Sequence, residues 1–135
     1  MIDGRLRTLA RGWGDGDGLC ALLACPPGEQ HELGLLGFGL LLRRRGWRIA
    51  YLGAETPTSD LATAVAELSP ELVVIGAMSA QRFLDAADGI RALSARARLA
   101  IGGAGASKAL ARSLGAEFLA DNLVAAARAV SGAAS

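Results

Sequence analysis

The sequence predicts an α/β domain of the flavodoxin-like (Rossmann-like) kind: a five-stranded parallel sheet of order 2-1-3-4-5 with helices on both faces. Three observations carry this expectation. Apolar runs of strand length alternate with helix-spaced stretches five times along the chain. The first run is continuous rather than alternating, as in strands covered on both faces. A composition of 52% hydrophobic but only 4% aromatic residues describes a core of Ala, Leu and Val. At 135 residues the chain makes one domain, enough to bury roughly two thirds of its unfolded surface.

Residues 1–12 are basic and weakly periodic, and Gly12-Trp13-Gly14-Asp15-Gly16-Asp17-Gly18 then breaks any helix. Residues 1–18 are therefore expected to be an N-terminal segment or linker, and residues 19–135 the domain. The Asp-Gly alternation lacks the spaced acidic ligands and closing Glu of a calcium loop, so it reads as turn chemistry. Leu19 to Ala24 leads into Cys25 as the first strand, and Pro26 and Pro27 end it. From Glu32 onward Leu33, Leu36, Leu40 and Leu41 recur at helical spacing. Arg43-Arg44-Arg45-Gly46 closes that helix, with cations in the last turn and glycine beyond it. Trp47 to Leu52 forms the second strand. Ser59 and Asp60 can cap a helix from Leu61 to Leu68, and Pro70 separates it from a third strand, Leu72 to Ala77. One helix around Phe83 to Leu93 follows, then a fourth strand, Leu99 to Ile101. A Gly102-Gly103-Ala104-Gly105 loop, a helix from Ser107 to Leu114, a short strand at Glu117 to Leu119 and a helix from Leu123 to Val130 complete the pattern.

The expected order sets the carboxyl ends of the first and third strands side by side at the topological switch point, where such sheets bind ligands. His31, the single histidine, follows the first strand. Met78-Ser79-Ala80 follows the third and the glycine cluster the fourth, so three stretches converge on one edge. A histidine that binds a metal through one ring nitrogen usually donates its other N–H to a carboxylate, and Glu29 is placed to accept it. Gly102 and Gly103 remove side chains that would keep the backbone away from a bulky ligand.

The motif Glu29-x-His31-x-x-Gly34, within Cys-Pro-Pro-Gly-Glu-Gln-His-Glu-Leu-Gly-Leu, resembles the Asp-x-His-x-x-Gly signature of cobalamin (vitamin B12) binding domains. It is most similar to the domains of light-sensing, MerR-type B12-dependent transcriptional regulators, and the resemblance runs over residues 19–130. It implies cobalamin, in the adenosyl or methyl form, with His31 as lower axial ligand to cobalt and Glu29 orienting it. It also implies Gly34 in the binding loop, and Ser79, Gly102 and Gly103 around the displaced nucleotide tail. Glu29 stands where the family has Asp, one methylene longer. Gln81 stands where the family has Leu, and an ungapped alignment would put Met78 at the serine position.

The formal charge of +1 gives no electrostatic reason to bind nucleic acid or a membrane surface. Arg43 to Arg45 read as a solvated helix end. Cys20 and Cys25 lie on opposite faces of one strand and cannot pair, which favours a reducing cytoplasm. No apolar stretch reaches the roughly 18 residues of a membrane helix. The expected function is a cobalamin-binding sensor domain of a light-responsive regulator, a photoreceptor rather than an enzyme. DNA contact would then belong to a domain or protein partner outside this chain. Three alternatives share the loop: a B12-binding mutase subunit, a corrinoid methyl carrier and a stand-alone B12-binding antirepressor. A phosphorelay receiver needs acidic residues after strand one, Asp after strand three and Lys after strand five, where Cys25, Ala77-Met78 and Ala120-Asp121 stand. The first loop is not G-x-G-x-x-G, and no G-x-S-x-G elbow is present.

Overall fold

The computed structural model describes residues 13–134, and the basic segment at residues 1–12 lies outside them. Five strands form one parallel sheet: β1 (Cys20–Ala24), β2 (Arg48–Gly53), β3 (Leu72–Gly76), β4 (Leu99–Gly102) and β5 (Glu117–Phe118). Their order is β2-β1-β3-β4-β5, as expected. Six helices connect or follow them: α1 (Leu33–Arg44), α2 (Thr58–Leu68), α3 (Ala80–Asp85), α4 (Ala87–Ser94), α5 (Lys108–Leu114) and α6 (Leu123–Ala134).

Strand periodicity divides the core in two. Ala21, Leu23 and Cys25 face one side with Ile49, Leu72, Val74 and Ala100, under Leu35, Phe38 and Leu42 of α1 and Ala126, Ala127 and Val130 of α6. Leu22 and Ala24 face the other with Val73, Ile75 and Ile101, under Leu61, Phe83, Ile90 and Leu114 of α2 to α5. Every residue of β1 is buried because it has a strand on each side and helices on both faces. Cys20 and Cys25 are both free and buried.

Three local expectations are corrected. The helix from Phe83 to Leu93 is two helices, broken at Ala86 (φ −108°, ψ 12°). The break redirects α4, whose Gly89 sits where any Cβ would press on the Thr58 side chain. Helix α2 starts at Thr58 rather than Leu61, with Pro57 at its N-cap and no side-chain cap from Ser59 or Asp60. Residues 13–18, expected to link, lie against the sheet: Trp13 is buried, and its carbonyl accepts the outward Ile49 N–H of edge strand β2 (2.7 Å).

Candidate functional site

The loop after β1 is built by backbone bonds that leave its conformation little freedom. Pro27 and Gly28 (φ +86°) turn the corner that lets Glu29 N–H donate to Pro26 O (3.1 Å). The loop after β2 holds it from the side: Thr56 N–H donates to Cys25 O and Glu55 N–H to Glu29 O, both at 2.9 Å. The Cys25 thiol, 3.6 Å from His31 O, donates to it. Burial pushes that thiol up to about 12, with the Glu32 and Glu29 charges adding to the rise, so it stays protonated and unreactive.

Glu29 is the hub. It is only 3% exposed and uses both carboxylate oxygens. Oε2 accepts His31 N–H (3.1 Å) and meets His31 Nδ1 (2.8 Å). Oε1 accepts the N–H of Met78 at 2.6 Å, from the loop after β3. Burial alone would raise the Glu29 pKa, but the bonds from Met78 and His31 outweigh it and hold the carboxyl below its ordinary range. The loop after β4 joins the network, as Ala77 N–H donates to Gly102 O (3.2 Å) and Gly105 N–H to Ala77 O (3.0 Å). One carboxylate thus links the first loop to the third, and the third is bonded to the fourth.

With Nδ1 engaged, the His31 ring stays 74% exposed, and Nε2 has no partner among the described residues. It stands on the wall of a cleft of about 1410 Å³ that runs along the carboxyl edge of the sheet, between the starts of α1 and α6. Gly34, Gly102, Gly103 and Met78 also line this cleft. Ser79 does not line it; it is exposed at the N-cap of α3, beside Met78. The glycines differ in what they leave open. A Cβ on Gly34 would meet nothing within 4 Å and would stand in the cleft. A Cβ on Gly102 would touch Leu119, while one on Gly103 (φ +94°) would overlap the Ala77 carbonyl. A side chain on Gly103 would therefore meet the loop after β3.

The donor chemistry suits a metal-centred macrocycle: one free imidazole nitrogen, oriented by a buried carboxylate, over an open cleft floored by glycine and apolar residues. Among the described residues no group of three or more His, Cys, Asp or Glu could cage a metal ion alone. A metal held here must bring most of its own ligands. The B12 binding domain model matches residues 19–130. The chain belongs to the B12-binding domain family. Its cofactor is cobalamin.

Two relatives are transcriptional repressors of Myxococcus xanthus. The HTH-type repressor CarA is 38% identical over 103 residues, covering 73% of this chain and 36% of CarA. The HTH-type repressor CarH is 38% identical over 110 residues, covering 78% of this chain and 37% of CarH. The chain thus spans little more than a third of these relatives. A crystal structure of a cobalamin-binding protein from Desulfitobacterium hafniense superposes with a TM-score of 0.77 at 20% identity, covering 84% of this chain and 58% of that one. That likeness speaks for the fold. No helix among the described residues is long and apolar enough to cross a membrane.

Both Glu29 carboxylate oxygens accept N–H groups. A glutamine amide at this position would turn its NH₂ toward one of these donors, leaving a buried N–H unpaired at about 1–3 kcal/mol. Glu29→Gln is therefore expected to lower cobalamin affinity about 10- to 100-fold, read by titration of the absorption spectrum. The carboxyl's lowered folded pKa also fixes a sign. Its contribution is present above the unfolded value and is lost as pH falls through the folded one. Urea melts of the cofactor-free protein should lose stability on that acid limb, and Glu29→Gln should flatten it.

Proposed function

We propose that this chain is the cobalamin-binding sensor domain of a light-responsive transcriptional regulator, with His31 as lower axial ligand to cobalt. The observation that carries the reading is the free Nε2 of an exposed imidazole whose Nδ1 rests on a buried carboxylate at the cleft wall. Glu29 keeps the ring in one orientation and raises its donor strength. Gly34 keeps the cleft floor low in front of it, and Gly102 with Leu119 borders the space for the nucleotide tail. Bound cobalamin supplies a cobalt centre that takes an imidazole ligand and a coloured ring whose alkyl–cobalt bond responds to light. The chain's part is to hold, orient and desolvate that group.

The regulatory half of the reading rests on the two repressors and on how little of their length this chain spans. In this division of labour residues 13–135 sense, residues 1–12 connect, and DNA recognition belongs to a domain or partner outside the chain. A formal charge of +1 suits that absence of DNA contact. The compartment is the cytoplasm, and the chain is not itself an enzyme. The experiment is incubation with adenosylcobalamin and methylcobalamin in the dark, gel filtration, and absorption spectra before and after green light. The expected result is a co-eluting corrinoid with an imidazole-ligated spectrum that changes on illumination. Elution of free corrinoid would sink the assignment, and a bound but light-insensitive alkylcobalamin would sink its photoreceptor half.

A further inference from the structure

A second carboxylate, one residue beyond His31, has no part in holding the imidazole. Glu32 is the N-cap residue of α1, yet its side chain caps nothing; only its carbonyl is used, accepting Leu36 N–H. The residue is 8% exposed and forms part of the cleft wall. Oε1 accepts the Tyr51 hydroxyl at 3.0 Å. Tyr51 is itself braced edge-on against Trp13, with ring centroids 5.9 Å apart. Oε2 has no partner among the described residues. Every sealed side-chain oxygen or nitrogen in the described protein has one, so Oε2 is an unsealed oxygen on a residue that lines the cleft.

A ligand that fills the cleft strips water from this open oxygen, and an acceptor on a residue more than nine-tenths buried and fixed by a tyrosine is then costly unless the ligand brings a donor. We propose that Glu32 is a specificity-determining residue that accepts a hydrogen bond from a primary carboxamide on the corrin rim. This rests on the cobalamin reading, because that cofactor carries several carboxamides around its ring. The same carboxylate repels an analogue in which the facing carboxamide is a carboxylate, so acceptance and rejection come from one group. The Tyr51 hydroxyl also keeps the Glu32 carboxylate from turning away.

The test is a ladder of cobalamin monocarboxylic acids, each with one propionamide hydrolysed, titrated against the wild-type chain and Glu32→Gln. One isomer should bind the wild type about 10- to 100-fold more weakly than cobalamin, the range for one hydrogen bond to a charged group. In Glu32→Gln that deficit should vanish, since glutamine can donate to a carboxylate, while the imidazole-ligated spectrum stays the same. A role in stiffening the loop alone would weaken all ligands together and leave the ladder flat. Equal binding of every isomer to the wild type overturns the proposal, as does a deficit that persists in Glu32→Gln. Should that variant not fold, the wild-type ladder still decides. Failure of the wild type to bind cobalamin itself would instead remove the reading on which the proposal rests.

Discussion

His31→Ala is expected to abolish the imidazole-ligated spectrum and to weaken cobalamin binding by more than the about 10- to 100-fold that loss of a supporting hydrogen bond costs. The reason is local. His31 is the only histidine in the sequence, and the Cys25 thiol, held protonated by burial, cannot stand in. Stability should hardly move, because the ring is 74% exposed and an exposed truncation typically changes stability by about 0.5 kcal/mol or less. Glu29 keeps two of its bonds in the variant, since Oε2 still accepts the backbone N–H of residue 31 and Oε1 that of Met78. A large binding loss with an unchanged melting curve separates ligation from folding. Added imidazole, which fits the space left by the ring, should restore part of the spectrum. An identical spectrum in wild type and variant would show that another group ligates cobalt.

What the sequence made legible and what it hid follow from the range of the interactions. The strand order and the two-sided burial of β1 were readable because they rest on apolar runs of strand length separated by helical ones. Glu29 beside His31 was readable for the same reason: the partners are two residues apart. The second function of Glu29 was not, because the Met78 N–H is a backbone donor 49 residues away and any residue but proline could supply it. The only trace was the ungapped alignment that put Met78, not Ser79, at the edge of the site. The Glu32–Tyr51 pair spans 19 residues and two elements, and nothing in either neighbourhood singles it out. The break at Ala86 was hidden too, since neither Gly nor Pro marks it.

Gly103→Val is expected to have the largest effect on stability. The residue sits at φ +94°, where a β-branched side chain is strained by about 1–3 kcal/mol before any contact is counted. The added Cβ would also overlap the Ala77 carbonyl, a backbone atom that cannot swing aside as a side chain would. Ala77 is fixed from both directions, its N–H on Gly102 O and its carbonyl on Gly105 N–H, so relief must shift the whole loop after β3. A total of roughly 3 kcal/mol or more lowers the melting temperature of a domain this size by about 10 °C, measurable by circular dichroism. Because the displaced loop carries the Met78 N–H that Glu29 accepts, the disturbance reaches the His31 support. Affinity should therefore fall for complete cobalamin and for cobinamide alike, although cobinamide lacks the nucleotide tail. Gly102→Ala is the control: its Cβ would lie 3.4 Å from Leu119 Cβ, an ordinary van der Waals contact that needs no shift. An unchanged melting temperature for Gly103→Val, with a loss confined to complete cobalamin, would mean that the missing side chain faces the tail and not Ala77.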